Sequence, residues 1–168
     1  MNAKDRERLF VELFNEYRER IMRLCRGYVD SPADAEDLFQ EIMTRVWDGL
    51  PGFRGEARPS TWLYRIAVNS ALLYRRRKVP SVPLGEIADS GAAAPDKIEK
   101  QELRTALHRA IAALREPDRL IASLLLEGLS YKDIAEITGL SVNYVGVKIS
   151  RIKHALEGSL RDFRHGRV

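Results

Sequence analysis

Three groups of side chains in this chain have types and spacings suited to chemistry, and that chemistry is contact with charged surfaces. The last group is Ser141, Asn143, Tyr144, Val147, Lys148, Ser150, Arg151 and His154. At helical spacing these residues fall opposite Val145, Ile149, Ile152 and Leu156. Polar groups near the start of such a helix can meet base edges in a major groove, while its cations anchor phosphates. The second group lies in residues 53–78, where Trp62, Tyr64 and Tyr74 stand among seven bases and one acid, a net +6. Aromatic rings stack on unpaired bases while cations hold the backbone. A helix starting at Ser60-Thr61 would also turn backbone N–H groups toward a phosphate. The third group is acidic. Residues 30–48 hold Asp30, Asp34, Glu36, Asp37, Glu41 and Asp48 against Arg45 alone, a net −5. Residues 141–168 carry a net +4. Such segregation suits separate surfaces for separate partners, although solvated helix faces account equally for charge alone.

Composition narrows the choice. The chain has 168 residues, with 28 Lys+Arg against 24 Asp+Glu. That length allows one domain or two small ones. No stretch approaches the ~20 apolar residues that cross a bilayer, and Met1 to Leu9 lacks the apolar core of a secretion signal, so a cytoplasmic protein is expected. The single cysteine, Cys25, excludes an internal disulfide and a Cys-rich zinc site. It falls on an apolar stripe, where a buried structural thiol is expected. His108, His154 and His165 lack metal-ligand spacing and lie far from the acidic cluster in sequence. No metal, cofactor or catalytic residue is expected.

The elements that must position these groups all read as helices. Leu9, Leu13, Tyr17, Ile21, Leu24 and Tyr28 recur every three or four residues, widened by Phe10 and Phe14. Asp30-Ser31-Pro32 ends that helix, and Ser31 or Asp34 can cap the next, whose apolar face is Ala35, Leu38, Ile42 and Val46. Pro51, Gly52 and Gly55 mark a loop, and Pro59 opens a third helix running to Arg75-Arg76-Arg77-Lys78. Residues 79–95 hold three prolines and two glycines and no Lys or Arg, the composition of an extended connector. Helices are expected over about Pro95 to Leu114 and Asp118 to Glu127. The fold class is therefore all-α: two small helical domains, 1–78 and 96–168, joined by a flexible linker at 79–95.

The C-terminal unit carries the most specific local pattern. Ser130-Tyr131-Lys132-Asp133 has the form of a capping box, and Gly139 stands where a left-handed residue would end that helix. Ser141 can cap another helix two residues later. Two short helices joined by a glycine-containing turn form a helix-turn-helix, and Ala135 is small enough for their close crossing. These features favour DNA binding over a helical hairpin with a merely polar outer side. For residues 53–78 chemistry alone leaves both readings open: Trp62 and Ile66 also suit a core, and the basic run suits a solvated helix end.

Residues 34–78 and 128–156 resemble the two domains of a bacterial extracytoplasmic-function (ECF) sigma factor. The resemblance rests on Asp34-Ala35-Glu36-Asp37-Leu38 followed by Gln40, on Phe53-Arg54-Gly55, and on Thr61-Trp62-Leu63-Tyr64-Arg65-Ile66-Ala67 with Asn69, all ahead of the helix-turn-helix. It implies a subunit that directs RNA polymerase to selected promoters. On that resemblance, Asp34, Asp37, Gln40, Glu41 and Arg45 bind core polymerase, docking on the β′ clamp helices, and the β flap is a further contact. Arg54, Ser60, Thr61, Trp62, Tyr64, Arg65 and Asn69 would capture an unstacked base of the −10 element, with Arg75, Arg76 and Arg77 on adjacent phosphates. The last helix would read the −35 element. A restraining anti-sigma factor is implied as a further partner. Two positions depart from the family pattern: Gly146 stands where a basic contact is usual, and Arg58-Pro59 replaces an apolar pair.

Two other classes compete. A stand-alone helix-turn-helix regulator with a sensing or dimerising N-terminal unit would bind a two-fold operator without polymerase, but it leaves the acidic helix unexplained. A small nuclease would need a metal-ligand pattern that the histidines do not supply.

Overall fold

A computed structural model of the protein describes residues 2–29, 31–77 and 95–165, of which 95–101, 108 and 162–165 as backbone alone. The expected connector, apart from Pro95, lies outside the described residues, as do Asp30, Lys78 and the side chains of His108 and His165. Every described element is helical.

The N-terminal unit is three helices packed against one another. α1 (Ala3–Tyr28) opens on Asn2, whose side chain accepts from the Asp5 amide at 2.8 Å. Its long apolar stripe turns Leu13, Ile21, Leu24, Cys25 and Tyr28 inward. α2 (Pro32–Gly49) starts at Ser31, whose Oγ accepts from the Asp34 amide at 3.1 Å, so Ser31 and not Asp34 is the cap. Pro32 stands in the first turn, where no intrahelical donor is needed. A 3-10 turn at Leu50–Gly52 and a loop with Gly55 at φ 73° lead into α3 (Pro59–Arg77). α3 buries Leu63, Tyr64, Ala67, Val68 and Ala71. That broad burial has a physical reason: α1 and α2 cover one side of α3, and a helix of the C-terminal unit covers another.

The C-terminal unit contains α4 (Pro95–Ala112), α5 (Asp118–Leu126), α6 (Tyr131–Thr138) and α7 (Val142–His165). α4 and α5 stop two and one residues short of the expected ends. The capping box is complete: the Asp133 amide donates to Ser130 Oγ at 3.1 Å and the Ser130 amide to Asp133 Oδ2 at 3.3 Å. Gly139 ends α6 at φ 73°, a left-handed conformation open to glycine without strain. The Tyr144 amide then donates to Ser141 Oγ at 3.2 Å, starting α7. Val145, Ile149 and Ile152 are buried against α5 and α6, with Leu156 half-buried at the margin. Each such aliphatic side chain contributes about 1.5–3 kcal/mol when fully removed from water.

The two units are packed together. One apolar cluster runs from Leu13 and Leu38 through Tyr64 to Leu120, Ile134 and Ile149. α1 packs on α4 and α5, and α3 packs on α6.

Candidate nucleic-acid interface

On α7, Asn143, Tyr144, Val147, Ser150, Arg151 and His154 are exposed, as is the capping residue Ser141. Val142, which the sequence reading left out, joins Val147 as an exposed apolar side chain at the start of the helix. Such groups can meet thymine methyls in a major groove. Lys148 is placed differently. Its Nζ lies 2.8 Å from Asp118 Oδ1, at the first residue of α5, and 5.6 Å from the centre of the Tyr144 ring. The hydrogen bond to Asp118 raises the Lys148 pKa. This cation ties α7 to α5 and is not directed outward. His154 Nδ1 stands 3.7 Å from Glu157 Oε2.

The loop before α3 and the first turns of that helix form an open pocket of about 270 Å³ lined by Gly52, Phe53, Arg54, Glu56, Ala57, Trp62 and Arg65. That is near the lower end for small-ligand clefts, roughly 300 Å³. The Trp62 ring tilts against Phe53 at 5.1 Å between centroids. Ser60 is half-buried, and Arg54 and Asn69 are exposed. Arg65 donates through Nε and Nη2 to the Glu136 carbonyl at 3.0 and 2.8 Å. At the other end of α3, Arg75, Arg76 and Arg77 are exposed in the last turn, where cations complement the helix dipole. Arg75 stands 3.5 Å from Glu116 and Arg77 3.5 Å from Glu41.

Two expected contacts of this surface are corrected by burial. Tyr64 is fully buried, its ring edge-on to Tyr17 at 6.1 Å. Burial, with the nearby charge of Glu127, pushes its hydroxyl up to about 12. Tyr64 therefore packs the junction between the units and cannot stack on a base. Thr61 is 2% exposed and is likewise a packing residue. Both lie on the sides of α3 that face other helices.

On the acidic helix α2, Ala35, Leu38, Ile42 and Val46 are buried, while Glu41 and Arg45 are half-buried. Asp37 and Gln40 are exposed on α2, beside Glu41 and Arg45 one turn on. Glu41 Oε1 accepts from Arg45 at 2.6 Å and from Arg77 at 3.5 Å, so it sits between two cations. Asp34 accepts from the Tyr74 hydroxyl at 3.0 Å, which holds the start of α2 against α3.

Two family models match the chain in order: Sigma-70 region 2 over residues 13–79 and Sigma-70, region 4 over residues 104–156. The ECF RNA polymerase sigma-E factor of Escherichia coli K12 is 33% identical, covering 94% of this chain and 90% of its own length. The chain belongs to the ECF sigma factors of the sigma-70 family. It is an alternative sigma factor directing transcription. The RNA polymerase sigma-H factor of Pseudomonas aeruginosa is 31% identical over 92% of this chain and 88% of its own. Two solved structures share the fold. CnrH, solved with the cytosolic domain of CnrY, superposes with a TM-score of 0.70 at 22% identity, covering 92% of this chain and 89% of that one. The sigma factor RpoE of Bartonella quintana, solved with the anti-sigma factor NepR, gives 0.67 at 20% identity, covering 89% and 97%.

Cys25 is fully buried, and burial pushes its thiol up to about 12, so it stays protonated at neutral pH. Among the described residues no His, Cys, Asp and Glu group is arranged to hold a metal ion, and no helix is long and apolar enough to cross a membrane.

Proposed function

We propose that this sigma factor, a binding subunit and not an enzyme, acts in the cytoplasm through three separate surfaces. The exposed face of α2 around Asp37, Gln40, Glu41 and Arg45 docks core RNA polymerase on its β′ clamp helices, with the β flap as a second contact. The loop before α3, Trp62 and Asn69 hold an unstacked base of the −10 element, and Arg75, Arg76 and Arg77 hold the adjoining phosphates. The outer face of α7, led by Asn143, Tyr144, Val147 and Arg151, reads the −35 element. The observation that carries this reading is the pocket beside Trp62: an aromatic wall with Arg54 and Arg65 at its rim, on the same helix as exposed Asn69. A stacked base gains about 1–3 kcal/mol there once it leaves the duplex. An anti-sigma protein is the third partner, as NepR is for the Bartonella factor.

The test is Asn69→Ala in run-off transcription with core polymerase. Asn69 is exposed, so its removal costs little stability. Permanganate footprinting should show reduced bubble formation from an equal amount of closed complex. Normal opening from an equal amount of closed complex would falsify the assignment of α3 as the strand-capturing element.

A further inference from the structure

Val147 stands at the middle of the outer face of α7. With 3.6 residues per turn, it lies about 170° around the helix from the mean direction of buried Val145, Ile149 and Ile152. Its side chain gains little from the fold, being 46% exposed. A β-branched residue is also a weaker helix former than alanine, lysine or glutamate. The chain therefore keeps an aliphatic group, against helix propensity, at the point where α7 comes nearest a groove. The cations are elsewhere. Lys148 is the single Lys or Arg between positions 141 and 150, and it is turned to Asp118 at 2.8 Å. Position 146 is glycine, and a side chain there would start beside the Tyr131 ring. Guanine is read most often by a bidentate Arg or Lys on O6 and N7. The first two turns of α7 direct no such group outward. Asn143, exposed one turn before Val147, carries the donor and acceptor that match N7 and N6 of adenine.

Every base edge in a major groove presents hydrogen-bonding groups, but thymine alone adds an apolar one, its C5-methyl. We propose that Val147 and Asn143 make the centre of α7 a reader of A·T pairs. Val147 packs on a thymine methyl, and Asn143 takes an adenine edge. Four residues of helix rise about 6 Å, so the pairs they read lie within about two base-pair steps of each other. The proposal rests on the assignment of α7 to the −35 element and names what that element must hold: neighbouring A·T pairs, with one thymine methyl turned to Val147. Arg151, exposed one turn further on, supplies a phosphate contact and no base discrimination.

The test uses holoenzyme assembled from core polymerase and the full chain. A promoter that it transcribes in a run-off assay is randomised across the −35 region, and the retained duplexes are sequenced. One retained duplex is then resynthesised with deoxyuridine in place of each thymidine of that region in turn. This removes the C5-methyl and alters no hydrogen bond. We expect neighbouring A·T pairs among the retained sequences. At one of them deoxyuridine should weaken the closed complex about fourfold, the change for re-exposing one methyl-sized group. Val147→Ala should weaken the thymidine complex to the same degree and bind thymidine and deoxyuridine duplexes equally, with an unchanged or higher melting temperature. Asn143→Ala should bind the retained sequence about tenfold more weakly and no longer distinguish A·T from G·C at one neighbouring pair. Retained duplexes without such A·T pairs, or no position at which deoxyuridine weakens binding, overturn the proposal. So does a Val147→Ala chain that still separates thymidine from deoxyuridine, since another side chain then reads the methyl. So does a Val147→Ala chain that assembles poorly with core polymerase, since Val147 then faces a protein. If the retained duplexes share no sequence and Arg151→Ala binds them as the wild type does, α7 is not the −35 reader, and the underlying assignment falls with the proposal.

Discussion

Gly49 and Trp62 are in close contact: a Cβ added at Gly49 would stand 3.0 Å from Cζ2 of Trp62. The last residue of α2 thus leaves room for the indole, and the indole in turn walls the pocket before α3. Gly49 has helical dihedrals, φ −81° and ψ −21°, so alanine is allowed there by the backbone. Only the ring objects.

Gly49→Ala is therefore expected to separate stability from function. Replacing a helical glycine gains about 0.5–1 kcal/mol, and moving a half-buried indole a few tenths of an ångström takes back a similar amount. Thermal unfolding should change little. Promoter opening should fall, because the wall of the base pocket has moved. Permanganate reactivity compared with closed-complex yield measures this, and an unchanged bubble would show that the pocket tolerates the shift.

Reversing charge on α2 should weaken core binding without unfolding the chain. Asp37 is exposed and four residues from Glu41 on one face, away from buried Leu38, Ile42 and Val46. Asp37→Arg should lower affinity for core polymerase at least tenfold, read by competition against labelled wild type. Glu41→Arg is the less clean probe, since it places a third cation beside Arg45 and Arg77. Core affinity within twofold of wild type for Asp37→Arg removes this surface from the assignment.

How far the sequence speaks for itself depends on range. Ser130, Asp133, Gly139 and Ser141 act within one turn of their own helices, and local chemistry places them without tertiary information. The apolar stripes of α1 and α2 are equally legible, because each helix buries one side. Tyr64 is not. Its basic and aromatic neighbours in sequence suit a nucleic-acid surface as well as a core, and its burial, edge-on to Tyr17, depends on residues far away in the chain. The Arg23–Glu127 pair spans 104 positions and has no local signature. Gly49 reads as an ordinary helix end until Trp62 is seen above it. Lys148 sits at the right spacing for DNA and is claimed instead by Asp118, thirty positions earlier in the chain.

Acid should weaken α6 and the contacts around it. The Ser130 hydroxyl, above all, holds the Asp133 pKa down, helped by the Ser130 amide and by Arg58, and opposed by burial. A depressed carboxyl pKa means the unfolded chain binds the proton more readily, so stability rises with pH through this region. The contribution is complete above the unfolded value near 3.8 and is lost as pH falls through the lower folded value. Carbon-detected titration of the Asp133 carboxyl should show the depression, and Ser130→Ala should move the value back up. An Asp133 that titrates at the unfolded value in the wild type would remove the capping box from the energetics of α6.

Gly146 offers a gain on both counts. Its Cβ would meet only the Tyr131 ring, at 3.9 Å, an ordinary contact. Gly146→Ala in α7 should raise stability by about 0.5–1 kcal/mol, a rise of about 2–4 °C per kcal/mol in the melting temperature. Gly146→Arg should add a phosphate contact and steepen the salt dependence of −35 binding by about one unit. A fall in melting temperature for the alanine variant would mean that the Tyr131 ring has no room to accommodate the methyl.

Lys148 and Arg151 stand one turn apart on α7, and the structure gives them different work. Lys148 is held at 2.8 Å by Asp118, while Arg151 is exposed. Each phosphate contact contributes about 0.9 to the slope of log K against log salt. Arg151→Ala should therefore lower the slope of closed-complex binding by about one unit and leave stability within about 0.5 kcal/mol. Lys148→Ala should do the reverse: it loosens α7 from α5, lowers the melting temperature and leaves the slope nearly unchanged. Asp118→Asn supplies the third arm. With its carboxylate neutralised, Lys148 is released toward the groove, and the slope should rise. Mobility-shift titrations over a salt series, paired with thermal melts of the same three variants, read both quantities. If Lys148→Ala lowers the slope as much as Arg151→Ala does, Lys148 leaves Asp118 when DNA arrives, and the α5–α7 tie belongs to the free protein alone.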